Sequence, residues 1–311
     1  MFTALKKGRV AALGVIAVSA AVALAGCSSS SSPLDAGSSS TGTAASGTIV
    51  VGSQSYYSNE IIAEIYSQAL EANGLTVTRK FNIGQRDAYL PALESGEVTL
   101  FPEYSGNLLQ YYDKTTTATS ADDVFAGLAK AVPSQLEVLQ QSQAADQDSY
   151  NVTKAFSDAN AVKSIADLAK VSGVTLGGNA ELATRPYGPP GLQSTYGVTV
   201  GFTPIDDSAG PLTLKALLDN TIQVANIYSA DPSIGANNLV TLSDPKHLFL
   251  ASNVIPLINK SAATPKVTDV INKVDAALTT ADLVSMNGES TTDQKSSADI
   301  AKEWLAKVKL F

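Results

Sequence analysis

The chain has 311 residues with 21 basic and 29 acidic side chains, a formal net charge of −8, one His and one Cys. That acidic balance argues against nucleic acid or an anionic membrane surface as a partner. A single His leaves little scope for Ser–His catalysis or a zinc site, and a single Cys permits no intrachain disulfide.

In chain order, Lys6, Lys7 and Arg9 precede an apolar run of small residues from Val10 to Ala25, then Leu24-Ala25-Gly26-Cys27. The run is short for a spanning helix and reads as a secretory leader. Leu-Ala-Gly-Cys resembles the lipobox of bacterial lipoproteins, in which Cys27 would be lipidated after cleavage. Residues 1–27 are therefore expected to be a lipoprotein signal peptide and residues 28–47, rich in Ser, Gly, Ala and Thr, a flexible tether. Without Lys6, Lys7 and Arg9, 18 basic residues face 29 acidic ones, a net charge of −11. The expectation is a receptor on the outer face of the cytoplasmic membrane, held by lipid alone.

From residue 48 onward apolar strands alternate with amphipathic helices. Thr48 to Ser53 reads as a buried parallel strand. Ser58-Asn59 offers an N-cap for a helix over Glu60 to Ala72, which Asn73-Gly74 ends. Leu75 to Phe81 is a strand, Arg86 to Ser95 a helix and Val98 to Phe101 a third strand. Pro102-Glu103-Tyr104 then reads as a sharp turn presenting a tyrosine, with helices after it at Gly106 to Tyr112 and Ser120 to Val132. The pattern restarts with a strand over Tyr150 to Lys154 and a helix over Ser164 to Lys170, where Ser164 and Asp167 have capping-box spacing. Strands follow at Val174 to Gly177 and Gly201 to Ile205, with the turn Gly188-Pro-Pro-Gly191 and residues Leu192 to Tyr196 between them. Then come a helix over Pro211 to Leu218 and strands at Ile222 to Ile227, Leu239 to Leu242 and Asn253 to Leu257. The last helices, Val267 to Leu278, Thr280 to Met286 and Ser296 to Val308, have no sheet of their own. The alternation predicts an α/β protein with mostly parallel sheets covered on both faces. The simplest topology is a first lobe over 48–147, a second over 148–252, and a return to the first over 253–311, with a hinged cleft between them.

Five groups of residues carry a family resemblance: Ile49-Val-Val-Gly-Ser53, Gly84-x-Arg86, Pro91-Ala-Leu-x-x-Gly96, Leu100-x-Pro-Glu-Tyr-x-Gly106 and Arg185-Pro186-x-Gly188-x-x-Gly191-Leu192-x-x-x-Tyr196-Gly197. Ile227-Tyr228-Ser229-x-Asp231 and Asp244-Pro-Lys-His-x-Phe249 extend it over roughly residues 48–311. Together they resemble the osmoprotectant-binding proteins of ABC importers, of the ProX/OpuC type that binds glycine betaine, choline and related compounds. The resemblance implies a two-lobed periplasmic-binding-protein fold of type II, a monomer without cofactor that serves an ABC permease and its ATPase subunits. It implies an aromatic cage for a trimethylammonium group, with Tyr104, Tyr150 and Tyr228 on matching cage positions and Arg185 on the family arginine that pairs with carboxylate. Gln54 stands where relatives have Lys or Gln, and Asn107 where Thr is common. The family's Phe-Pro-Pro-Tyr segment reads Phe249-Leu-Ala-Ser-Asn253 here, so one cage tyrosine is missing. Tyr56, Tyr57 or Tyr187 could fill that wall, or the cage could have three sides. Tyr187 and Thr99 each replace a usual family Asp.

The residue types suit that chemistry. A quaternary ammonium has no N–H to donate and is recognised by shape, dispersion and the negative faces of aromatic rings. An arginine adds a two-pronged bond to a carboxylate, which favours glycine betaine over choline. Tyr66, Tyr89, Tyr111 and Tyr112 are expected in packing roles, Glu103 and Asp231 as loop braces, and His247 as structural. The chain has no Gly-x-x-x-x-Gly-Lys-Ser/Thr loop and no Gly-x-Ser-x-Gly elbow, which disfavours an enzyme. Choline, carnitine, proline betaine, ectoine or another trimethylammonium compound remain as ligands, and a surface lipoprotein uncoupled from transport remains as a role.

Overall fold

The computed structural model describes residues 47–311; the expected leader, Cys27 and the expected tether as far as Ser46 lie outside the described residues. The first sheet begins with β1 (Thr48–Gly52), α1 (Tyr57–Ala72), β2 (Thr76–Lys80), α2 (Arg86–Ser95), β3 (Leu100–Tyr104), α3 (Ser105–Tyr112), α4 (Ala121–Ala131) and β4 (Leu136–Val138). The second is built from β5 (Asp148–Val152), α5 (Lys154–Asn160), β6 (Thr175–Gly178), α6 (Pro189–Gly191), β7 (Gly201–Pro204), α7 (Pro211–Leu218), β8 (Val224–Tyr228), α8 (Ser233–Ala236) and β9 (Val240–Thr241). The chain ends with β10 (Val254–Asn259), α9 (Pro265–Ala277), α10 (Thr280–Thr291) and α11 (Ser297–Val308).

Both sheets are five-stranded and mixed, in the orders β2-β1-β3-β10-β4 and β7-β6-β8-β5-β9. Strands β2, β1 and β3 are parallel, as are β7, β6 and β8. In each sheet the fourth strand runs antiparallel to its neighbours. The sheets are thus less parallel than the strand–helix alternation suggested, because β10 and β5 enter from the far side of a crossing. The two crossing segments, between β4 and β5 and between β9 and β10, meet in a bridge at Ala145 and Asn253, with Asp146 N donating to Ser252 O at 3.0 Å. Apolar side chains cover both faces of each sheet. Helix α1, flanked by α9, α10 and α11, closes one face of the first.

Three local elements differ from the sequence reading, each for a physical reason. Helix α1 starts at Tyr57, ahead of Ser58-Asn59. Asn59 is therefore buried inside the first turn, where it accepts from Gln54 N at 2.9 Å and donates to Pro102 O at 2.8 Å. One amide side chain so ties the end of β1 to β3. Pro102-Glu103-Tyr104 is no turn: β3 runs through it, fully buried, to Tyr104. Pro102 is tolerated inside the sheet because the carbonyls of the Pro102–Pro256 pair are met elsewhere, Pro102 O by Asn59 at 2.8 Å and Pro256 O by Leu139 N at 2.9 Å, so neither waits for the other proline's missing N–H. Lys154 heads α5 instead of ending a strand, because Thr153 caps that helix by accepting from Phe156 N at 3.1 Å. Strand β4 and helix α5 had no expectation at all; each is short, and only its partners define it.

The loop after β6 folds back tightly around glycines. A Cβ at Gly188 would lie 1.8 Å from Leu182 O, and one at Gly191 1.8 Å from Pro186 O. Only glycine fits those approaches, and Arg185 and Tyr187 ride on the same loop. Gly188→Ala should cost about 1–3 kcal/mol in urea denaturation as the backbone gives way; an unchanged midpoint would show that the loop has slack.

Candidate functional site

A recess open to solvent, with about 430 Å³ of empty space including that opening, lies between the two sheets, lined by Gln54, Tyr56, Gln85, Arg86, Tyr104, Asn107, Asp146, Asp148, Glu181, Arg185, Tyr187 and Tyr228. Its position follows from the topology. Gln54 and Tyr56 leave β1, Tyr104 ends β3, Tyr228 ends β8, and Glu181, Arg185 and Tyr187 follow β6. These are the carboxyl ends of parallel strands, where open α/β sheets place ligands. Because β5 is antiparallel to β8, its first residue Asp148 pairs with Tyr228 at the same edge.

Seven residues singled out from sequence line the recess: Gln54, Tyr56, Tyr104, Asn107, Arg185, Tyr187 and Tyr228. Two others do not. Tyr150 is fully buried behind the wall, its hydroxyl donating to the Tyr187 carbonyl and its ring edge-on to Phe249 at 4.9 Å. It holds Tyr187 in place and offers no face to the recess. Tyr57 turns away and donates to Asp231 Oδ2 at 2.7 Å, beside a separate recess that includes Pro211 and Thr291. Tyr56 and Tyr187 join Tyr104 and Tyr228, so four phenols line the recess. The Tyr56 and Tyr228 rings lie 4.7 Å apart at 58°.

Sequence reasoning missed five lining residues: Gln85, Arg86, Asp146, Asp148 and Glu181. Arg86 had a signal, since it ends the Gly84-x-Arg86 segment. Its partner explains the Glu in Pro-Glu-Tyr. Glu103 is fully buried, receives Arg86 Nε at 2.9 Å and an Arg86 terminal nitrogen at 2.8 Å, and also accepts from Tyr89 OH and, at 2.7 Å, from Tyr104 N. A bidentate guanidinium pair of this kind fixes both side chains in one plane. Asn107 donates to Asp148 across the recess while Ser252 Oγ, on the returning crossing segment, donates to Asn107 Oδ1 at 2.9 Å. Arg185 stands 5.7 Å from the centre of the Tyr111 ring and 3.6 Å from Asp87.

Burial sets the electrostatics. It pushes the phenols of Tyr56, Tyr104, Tyr187 and Tyr228 up, so these rings stay neutral hydroxyls. It also raises Asp148 and Glu181 above the usual carboxylate range, and pushes Asp146 up to about 7. Gln54 Nε2, Tyr104 OH and Arg185 Nε are buried without a hydrogen-bond partner among the described residues. Such unpaired donors are costly in a folded protein unless something else meets them. The arrangement can hold a small ligand with a cationic head among phenol faces and an anionic end near a guanidinium. No nucleophile and base are paired in it.

Two α/β lobes on mixed sheets with a polar, aromatic recess at their facing edge define a periplasmic-binding-protein fold. The family model for the substrate binding domain of the ABC-type glycine betaine transport system matches residues 47–307, and the chain belongs to that family. Its members are solute-binding proteins of ABC transporters, working outside the cytoplasm, and not enzymes. The chain is 24% identical over 272 residues to the glycine betaine-binding protein YehZ of Escherichia coli K12, covering 83% of this chain and 89% of that one. Among solved structures it is similar to a glycine betaine/carnitine/choline ABC transporter protein (TM-score 0.68, 22% identity, 84% and 99% of the two chains). It is also similar to lactococcal OpuAC in its closed form with glycine betaine (TM-score 0.63, 15% identity, 85% and 96%). Among the described residues no helix is long and apolar enough to cross a membrane.

Removing the Glu103 carboxylate leaves a buried guanidinium unpaired. Glu103→Ala should therefore cost about 3–5 kcal/mol in chemical denaturation. A loss below about 1 kcal/mol would mean that Arg86 finds another partner.

Proposed function

We propose that this chain captures a quaternary-ammonium osmoprotectant, glycine betaine foremost, and delivers it to the permease of an ABC importer. The observation that carries the reading is one recess lined by four neutral phenols, Tyr56, Tyr104, Tyr187 and Tyr228, with Arg185 on the same wall. Each well-placed ring contributes about 0.5–2 kcal/mol to a cation, more where water is excluded. Four rings supply about 2–8 kcal/mol, which approaches micromolar affinity, about 8 kcal/mol. The unpartnered Arg185 Nε supports a role for that guanidinium in holding a ligand carboxylate.

Tyr56 and Tyr104 belong to the first lobe and Tyr187 and Tyr228 to the second, so a ligand gripped by all four favours the closed arrangement of the lobes. Closure by ligand is a population shift that needs this difference in contacts. The protein is then monomeric and tethered through lipid on Cys27, as the Leu-Ala-Gly-Cys sequence suggests, with the permease meeting the closed form. Choline is a second reading, favoured by the three carboxylates of Asp146, Asp148 and Glu181 along the wall.

Calorimetric titration with glycine betaine, choline, carnitine, proline betaine and ectoine tests the proposal, with saturable binding expected for at least one trimethylammonium compound. Tyr104→Ala should weaken the bound ligand about 2- to 30-fold, the loss of one ring. Arg185→Ala should weaken glycine betaine about 10- to 100-fold and choline by less than about threefold. Equal losses for both ligands would make Arg185 a clamp between the lobes, through Asp87 and Tyr111, and not a ligand contact.

A further inference from the structure

Asp146 differs from the other charged groups of the recess. Arg86 is closed off by Glu103. Asp148 and Glu181 both lie in the field of Arg86 and Arg185, which offsets part of the cost of their burial. At Asp146 no cation is among the main influences. This residue is only 4% exposed, and among the described residues it takes part in no ion pair. The groups that face it are Tyr56 and Tyr57 at the start of α1, Tyr104 at the end of β3, Tyr228 at the end of β8, Asp148 at the start of β5, and Asp231 beyond β8. None is a cation. A buried carboxylate without a cationic partner is among the costlier features a fold can carry.

Asp146 lines the recess together with Tyr56, Tyr104 and Tyr228, so its charge lies where a bound ligand would sit. We propose that Asp146 is the counter-charge for the ligand's cationic head, and that the cation enters in exchange for a proton held on this carboxyl. The inference rests on the quaternary-ammonium reading and deepens it by naming the group that senses the charge.

The geometry suits that role. Tyr56 OH donates to Asp146 Oδ2 at 2.9 Å and Ala230 N donates to Oδ1 at 2.9 Å. Each oxygen is already oriented by one donor, so Asp146 offers a ligand charge more than a free lone pair. That is what a quaternary ammonium, which has no N–H, can use. Burial, helped by the nearby Asp231 and Asp148, pushes the carboxyl up to about 7, so the empty site holds its proton for much of the time near neutrality. When the cation arrives the carboxyl releases that proton to solvent, and the charge inside the recess is unchanged. The anionic form also strengthens both hydrogen bonds it accepts. One comes from the first lobe through Tyr56 and the other from the second through Ala230, so the exchange helps draw the lobes together.

The sign follows from competition between proton and ligand: affinity is full above about pH 7 and falls as pH drops through that value. The test is calorimetric titration of choline chloride, and in parallel glycine betaine, into the purified protein at pH 6, 7 and 8, in buffers of different ionisation heat. Wild-type affinity should drop about tenfold from pH 8 to pH 6, with proton release on binding near pH 6.5. Asp146→Asn should remove the pH dependence and bind choline at pH 8 at least about tenfold more weakly. Wild-type binding that is flat in pH and releases no proton overturns the role of Asp146 while leaving the cage reading standing. So does an Asp146→Asn variant that keeps the wild-type profile. The proton count on the wild type decides the matter even if the variant does not fold. Failure of every trimethylammonium compound to bind wild type at pH 8 overturns both readings together.

Discussion

The arrangement around the recess depends on how one buried carboxylate is satisfied. Glu103 lies in the middle of a completely buried strand, and its two oxygens are met by Arg86, Tyr89 and the Tyr104 amide. That single cluster joins β3 to the start of α2. It decides where Arg86 stands in the wall and fixes the backbone from which Tyr104 projects. Asn59 completes the frame from the other side by bonding Gln54 N and Pro102 O. Two side chains inside the first lobe, neither lining the recess, thus place three that do. Bonds of this kind to buried charge are worth more than bonds at the surface, and leaving one end unmet is expensive.

The second lobe supplies its share differently. Arg185 and Tyr187 sit on a loop without regular secondary structure, held by glycine close approaches at Gly188 and Gly191 and by the Tyr150 hydroxyl beneath the Tyr187 carbonyl. Phe249, from the segment returning to the first lobe, packs against both rings. The half of the site made by strand ends is set by sheet register, and the half made by this loop is set by packing. A ligand that orders the loop would therefore draw on both kinds of constraint.

Much of the fold was legible because strand and helix periods alternate clearly. The bounds of α2 and α7 follow directly from the sequence, and the Ser164–Asp167 spacing does form its hydrogen bonds, with Asp167 Oδ2 accepting from Ser164 N at 3.0 Å. What could not be read depended on partners distant in sequence. Pro102 looks like a strand breaker until the distant partners of the Pro102–Pro256 carbonyls are seen, and Asn59 looks like a cap until its two distant bonds are seen. The site shows the same division. Tyr104, Tyr228 and Arg185 stand at motif positions and line the recess, whereas Tyr150, placed by the same resemblance, faces Tyr187 and Phe249. Asp146 carries no local signal, since a carboxylate in a polar linker is ordinary. Only the meeting of the two crossing segments shows that it is buried.

The place of β10 bears on how the chain is assembled. This strand is inserted between β3 and β4, yet it follows the whole of the second lobe in sequence. Until Val254–Asn259 has been synthesised, β3 and β4 are separated by an unfilled slot, each with a ladder of unmatched amide and carbonyl groups. The last-made helices, α9 to α11, are also the ones that cover α1. The first lobe is therefore begun first and finished last, and the second lobe can close its sheet while its neighbour is still open. Pairings so remote in sequence form slowly and leave sticky edges in the interval. A chain built this way gains little from folding as it emerges and gains much from being kept extended until its end is available.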